Sequence, residues 1–275
     1  MKFIYHDNDS FLNRLNPLST VFAALPFFTL LCFINSIWPP IAFIVLNVFI
    51  IFALGKVPLT TFFKLSIPVI ILSLSLFVFY LLGARPELTA GSPVLFTIGA
   101  LNIYQASFMA GVAIALRIYA LLLFSFPFVL TTEPSNFIRS LIQNLKIPYR
   151  FSYGVLVAFR FVPMMETEFN VIRSAHKVMG ISEKKGIQSY FEKIKRYSIP
   201  IIVNAIRIGE RTALSMDGRA FGAFDERTYF RKMEFKSIDW VYIFSYWSVC
   251  TIILLVLYNF GLIGDIGVYY GSLGG

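Results

Sequence analysis

Two cysteines and two histidines among 275 residues leave little for metal or thiol chemistry. Cys32 and Cys250 stand far apart in apolar runs, so they give neither a zinc spacing nor a disulfide framework. Thiols in such surroundings act as small packing residues. His6 and His176 are equally isolated, with no HExxH or cysteine partner, and no metal site is expected. Neither a GxxxxGKS/T loop nor a GxGxxG occurs, so the chain is not expected to bind or hydrolyse a nucleotide. Charge is scarce as well, at 14% of residues against about a quarter in a soluble domain. What replaces it is apolar: 57% hydrophobic residues, 17% aromatic, 30 Phe, and a mean hydropathy of +0.72. Those values exclude a soluble globular domain, disorder, a coiled coil and a disulfide scaffold. A polytopic helical membrane protein remains.

The charges are confined to segments. None occurs from Leu15 to Gly55, from Leu65 to Ala84, from Leu88 to Leu116 or from Trp240 to Gly264. A bilayer core takes roughly 20 apolar residues per helix, and the first run breaks at Trp38-Pro39-Pro40, since proline does not continue a helix. Spans are predicted near Leu18–Asn35, Pro40–Gly55, Leu65–Gly83, Tyr104–Leu130 and Trp240–Phe260. Asn16 can cap the first and Pro17 suits its first turn. The segment Pro134–Ser237 holds 18 of the 24 Lys+Arg but only 9 of the 15 Asp+Glu, an excess equal to the net charge of +9. The expected organisation is 1–133 with four transmembrane helices, 134–237 as a helical domain, and 238–275 with the last helix and a tail. Lys2, Arg14, Lys56 and Lys64 flank alternate ends of the spans, which by the positive-inside rule puts the N-terminus and the basic block in the cytoplasm and the C-terminus outside. No cleavable leader is expected, because Met1–Leu15 is polar and mixed.

Arg117 is the one ionisable residue predicted inside a span, and such a residue marks a functional site by default. A bond to a neighbouring helix's carbonyls, or a place near a helix end, is preferred to a substrate role. No span interior carries Asp or Glu, which argues against an ion-driven carrier with acidic groups at the midplane. Within the basic block, Glu133-Pro134-Ser135 starts a short helix and Ile147-Pro148 stops it. An apolar helix over Phe151–Phe159 is expected to end near Pro163. A second follows, with Phe169, Ile172, Ala175 and Met179 on one face and Gly180 at its end. After a charged connection over Glu183–Arg196, Pro200 is expected to open a further helix. There Ile202, Ala205, Ile206, Gly209, Ala213, Met216 and Ala220 form an apolar stripe, and Arg207, Arg211, Ser215 and Arg219 a basic one. The basic stripe fits an anionic lipid surface, plain solvation, or an acidic groove on a partner protein. Nucleic acid is a poor fit, since no recognition motif accompanies the arginines.

These residues resemble a known family, the transmembrane T component of energy-coupling factor (ECF) type ABC importers, over almost the whole chain. Ser10-Phe11-Leu12-Asn13-Arg14-Leu15-Asn16-Pro17 is similar to its entry segment, and Arg160-Phe161-Val162-Pro163 with Glu166 and Glu168 to its central pattern. Ala213-Leu214-Ser215-Met216-Asp217-Gly218-Arg219-Ala220-Phe221 resembles its Ala-Leu-x-Met-Glu-Ala-Arg stretch most specifically. The resemblance implies two short motifs at the ends of coupling helices, one for each of two cytoplasmic ATPases. Gly218-Arg219-Ala220 matches the second. Val178-Met179-Gly180 stands at the first, with Met179 where the family carries arginine and Lys177 or Lys184 nearby. Arg160, Pro163, Glu166, Arg207 and Arg211 are then support residues of the coupling domain.

The implied protein is a non-catalytic subunit in a prokaryotic cell membrane that passes ATP-driven motion to a separate substrate-binding membrane subunit. ATP and magnesium belong to the ATPase partners, identical or different, and no cofactor is expected on this chain. The cargo would be a vitamin, a precursor or a metal ion. A self-contained carrier or channel with a lipid-facing basic domain is the alternative from another class.

Overall fold

A helix in a bilayer satisfies its own backbone, and the apolar runs of this chain are helical. The computed structural model describes residues 10–83, 93–98, 101–145, 147–180, 187–224, 229 and 231–263. They fall into two compact units, one formed by Ile4–Glu133 with Phe235–Gly275 and the other containing Pro134–Glu234.

In the first unit, α1 covers Phe11–Arg14 and α2 Pro17–Phe33. The Asn16 side chain accepts from the Leu18 N–H at 3.1 Å, and Pro17 occupies the first turn, as the sequence predicts. Helix α3 runs Trp38–Ala53, with Pro39 and Pro40 buried inside its first turn rather than ahead of it. Helix α4 covers Leu59–Leu82. An antiparallel hairpin follows, β1 (Val94–Ile98) and β2 (Leu101–Tyr104), pairing Phe96 with Ile103 and Ile98 with Leu101. The sequence reading placed no strands here.

The fourth span is two helices, α5 (Gln105–Leu123) and α6 (Phe126–Thr131). Pro127 supplies no N–H to the preceding ladder, and the break falls one turn before it. The Ser125 hydroxyl covers part of the gap by donating to the Leu122 carbonyl at 2.6 Å.

Helices α4 and α5 approach closely through small residues. A side chain at Gly111 would meet the Phe77 ring at 3.2 Å, and the Ser73 hydroxyl donates to the Ala115 carbonyl at 3.1 Å. Fully buried Leu31, Phe43 and Cys250 lie in the core, where the Phe43 ring is 5.6 Å from Phe124 and that of Phe27 6.2 Å from Tyr246. Cys32, by contrast, is exposed, and its thiol donates to the Phe28 carbonyl. The outer surface stays apolar: Val45, Phe49, Ile71, Phe79 and Val241 are each more than 60% exposed. A soluble protein does not show so much contiguous apolar surface.

The last helix, here called α10 and covering Ser237–Asn259, is tied to α2 by a buried acid. The Asp239 carboxylate accepts from the Asn16 N–H at 2.7 Å and the Lys236 N–H at 2.8 Å. Arg117 donates to the Asn35 side chain at 2.8 Å, just past the end of α2, so it serves a neighbouring helix terminus. Among the described residues, three helical segments are long and apolar enough to cross a bilayer, namely α4, Gln105–Thr131 and α10, and α2 and α3 are shorter apolar helices. The chain is an all-α, multi-pass membrane protein.

The second unit holds α7 (Pro134–Asn144), α8 (Tyr149–Val178) and α9 (Ile187–Asp217). Helix α8 corrects the reading of two helices split near Pro163, because it passes through that proline unbroken. One proline removes one intrahelical bond, and the long ladders on both sides survive it. Likewise α9 begins before Pro200, and 187–196 is helical although its charges suggest a connection. Lys, Glu, Gln and Arg are good helix formers, so charge there marks a solvated helix face. Lys184 and His6 lie outside the described residues.

Helices α8 and α9 run antiparallel. The Phe169 ring is 5.5 Å from Tyr197, Asn204 donates to the Glu168 carboxylate at 3.2 Å, and the Tyr153 ring is 5.9 Å from Phe221.

Candidate functional site

The ends of α8 and α9 carry the predicted coupling motifs, and in both the residue after the cap adopts a left-handed conformation. Past the last turn of α9, Ala220 adopts φ +54, a left-handed conformation usually left to glycine. The Phe221 N–H donates to the Met216 carbonyl at 3.0 Å and the Ala220 N–H to the Asp217 carbonyl at 2.9 Å. This pair of bonds is the Schellman closure of a helix C-terminus. Arg219 sits at the cap, exposed; its backbone N–H donates to the Met216 carbonyl at 3.1 Å, and its side chain has no hydrogen bond or ion pair among the described residues. Gly218 meets only its own helix's carbonyls, the nearest at 3.4 Å, so this side of the tip is open to a partner surface.

At the end of α8, Gly180 has φ +70 and its N–H donates to the Lys177 carbonyl at 3.2 Å. Met179 therefore occupies the position that Arg219 holds on α9. It is 63% exposed and Val178 88%, and Lys177 is exposed beside them. The shared backbone and the different side chain make Met179 an apolar counterpart of Arg219.

The tip at Arg219 is held from the side. The Tyr149 hydroxyl donates to the Phe224 carbonyl at 2.7 Å and Arg150 to the Gly222 carbonyl at 2.6 Å. Tyr149 and Tyr153 also set their rings edge-on to Phe221 at 5.7 and 5.9 Å. Sequence reasoning missed this clamp, although Tyr149 and Tyr153 one turn apart, with Arg150 between them, were a visible signal of a helix face with work to do.

The remaining residues do not gather at either tip. Arg160, Pro163 and Glu166 lie in the middle of α8, all exposed. Arg207 and Arg211 are exposed on α9 together with Arg219, so the basic stripe faces away from the hairpin's interior. The expected apolar stripe of α9 is divided. Ala205, Gly209 and Met216 are half-buried, whereas Ile202 and Ile206 are 56% and 57% exposed. The face toward α8 instead runs through Tyr197, Ile201, Asn204, Ile208 and Thr212. The His176 ring, near the end of α8, lies 5.1 Å from that of Tyr197 and tilted to it by 46°.

Comparison with known proteins converges on one family. The model of the CbiQ family, described as cobalt transport protein, matches residues 8–230. The chain is 24% identical over 245 residues to the energy-coupling factor transporter transmembrane protein EcfT of Bacillus subtilis, covering 86% of this chain and 89% of that protein. It is 24% identical over 265 residues to EcfT of Lactococcus lactis, covering 93% and 96%, and 28% identical over 242 residues to EcfT of Streptococcus thermophilus, covering 83% and 88%. With its apolar helices, its exposed apolar surface and its near full-length match, the chain belongs to the EcfT/CbiQ-like family and is an energy-coupling transmembrane component of an ECF transporter.

Proposed function

We propose that the two helix ends, Gly218-Arg219-Ala220 and Val178-Met179-Gly180, each seat in a groove of one cytoplasmic ATPase, and that α8 and α9 carry the resulting motion to a separate substrate-binding membrane subunit. One observation supports this above the rest: antiparallel packing puts the tips at opposite ends of the hairpin. Along α8 the level of Tyr153, beside Phe221, lies about 40 Å from Met179 at 1.5 Å rise per residue. That spacing suits two separate subunits and does not suit a single composite site.

In this reading Arg219 holds a groove carboxylate through its planar fork, whereas Met179 docks by adaptable packing. ATP and magnesium stay on the ATPases, and this chain contributes no catalytic group. The exposed apolar residues of α9, Ile199, Ile202, Val203 and Ile206, form the face offered to a membrane partner. The cargo, a vitamin, a precursor or a metal ion, is chosen by that partner. In this reading the N-terminus and the basic block are cytoplasmic, which the positive-inside rule supports.

The test is purification of the tagged chain from its native membrane in a mild detergent. Two ATPase chains and one small membrane protein should accompany it. A chain that purifies alone and moves solute by itself in liposomes would refute the proposal.

A further inference from the structure

Beside the clamp, the second unit contains a cleft of about 170 Å³ lined by Arg139, Ile142 and Gln143 of α7, Tyr153 and Leu156 of α8, and Tyr229 and Arg231. Pockets for drug-sized ligands start at about 300 Å³, so this one suits a small group. Two guanidinium groups and two phenols line it, with no carboxylate among the described lining residues. Arg139 gives one N–H to Asn136 at 3.2 Å and keeps the rest. The nearby acid Glu234 is paired with Lys232 at 3.7 Å, both about three-quarters exposed. Gln143 fixes the backbone that carries Arg231, donating to its carbonyl at 3.0 Å and accepting from the Met233 N–H at 2.7 Å. The walls are thus held in place, and neither guanidinium meets a carboxylate among the described lining residues.

The sequence positions of these arginines matter. Arg139 follows eight residues after the end of α6, and Arg231 precedes the start of α10 by six, so in the sequence each is only a short stretch of chain from a membrane-crossing segment. Planar guanidinium forks match phosphate oxygens bidentately. Basic pockets next to spans take anionic lipid headgroups, and tyrosine favours the interface.

We propose that this cleft binds a phosphate group, supplied by the headgroup of an anionic phospholipid in the adjoining leaflet. The inference is independent of the coupling role of Arg219, and its test does not depend on that role.

The experiment is native mass spectrometry of the full-length protein released from nanodiscs containing equal amounts of phosphatidylglycerol and phosphatidylcholine. The wild type should retain one phosphatidylglycerol in preference to phosphatidylcholine. The double variant R139Q/R231Q should hold it roughly 30-fold more weakly, whereas R139K/R231K should keep most of the preference. Excess inorganic phosphate serves as the second arm: displacement of the lipid by millimolar phosphate would assign the site to free phosphate and overturn the headgroup. Equal retention of the two lipids by the wild type would overturn the proposal without reference to any variant. So would an unchanged preference in a folded R139Q/R231Q.

Discussion

Replacing Arg219 by alanine separates folding from assembly, because in the isolated chain the side chain is exposed and unbonded. Its loss removes only the attraction between a guanidinium and the negative end of α9, which is small and salt-screened at an exposed helix end. The Schellman closure uses backbone groups of Met216, Asp217, Ala220 and Phe221 and is untouched. Thermal unfolding of R219A in detergent should therefore match the wild type. Assembly should not. Truncating one partner of a desolvated charge pair costs about 2–5 kcal/mol, or roughly 30-fold to several thousand-fold in affinity for the ATPase. The measurement is titration of purified ATPase onto the reconstituted chain, with ATP-driven uptake recorded in parallel. R219K keeps the charge and loses the fork, so it should fall between the two. ATPase affinity unchanged in R219A, or a chain that unfolds when Arg219 is cut, would refute the reasoning.

At the other tip, M179A should weaken ATPase retention much less than R219A, because no carboxylate is stranded; equal losses in one assay would contradict this. A220G should raise the melting temperature, since glycine adopts the φ of +54 without the side-chain penalty of about 1 kcal/mol, and a lower melting temperature would count against the assigned cap. D239A should destabilise the membrane unit by about 1–3 kcal/mol, because it strands the buried N–H of Asn16 and removes the partner of the partly buried N–H of Lys236, with D239N milder in the same denaturation assay. For topology, S182C should react with impermeant maleimide only after the membrane is opened and S272C in intact cells; the reverse pattern would invert the orientation.

The apolar spans were legible because uncharged runs of that length have few alternatives, and Asn16-Pro17 announced the first helix start directly. Local punctuation misled elsewhere. Pro163 and Pro200 look like boundaries, yet each lies inside a helix of about thirty residues, whose remaining bonds outweigh one missing donor. The charged stretch 187–196 looked like a connection because charge was read as a loop signal, when those residue types favour helix. In α9 the apolar stripe is legible from its spacing, but its spacing does not say what covers it, and Ile202 and Ile206 are exposed. Apolarity shows that a face avoids water and leaves open whether its cover comes from this chain. Arg219 was legible through a motif, but nothing in an alanine signals the backbone of Ala220, which depends on how the helix closes.

The hold of α8 on the far side of the Arg219 tip has a mechanical consequence. Two rods lying side by side slide when one is loaded at its end, and each bends as a single slat. Pinned at that end by Tyr149, Arg150 and the Phe221 ring, they bend as one glued beam, so a sideways push on the tip is shared along both helices instead of being lost in the fraying of one.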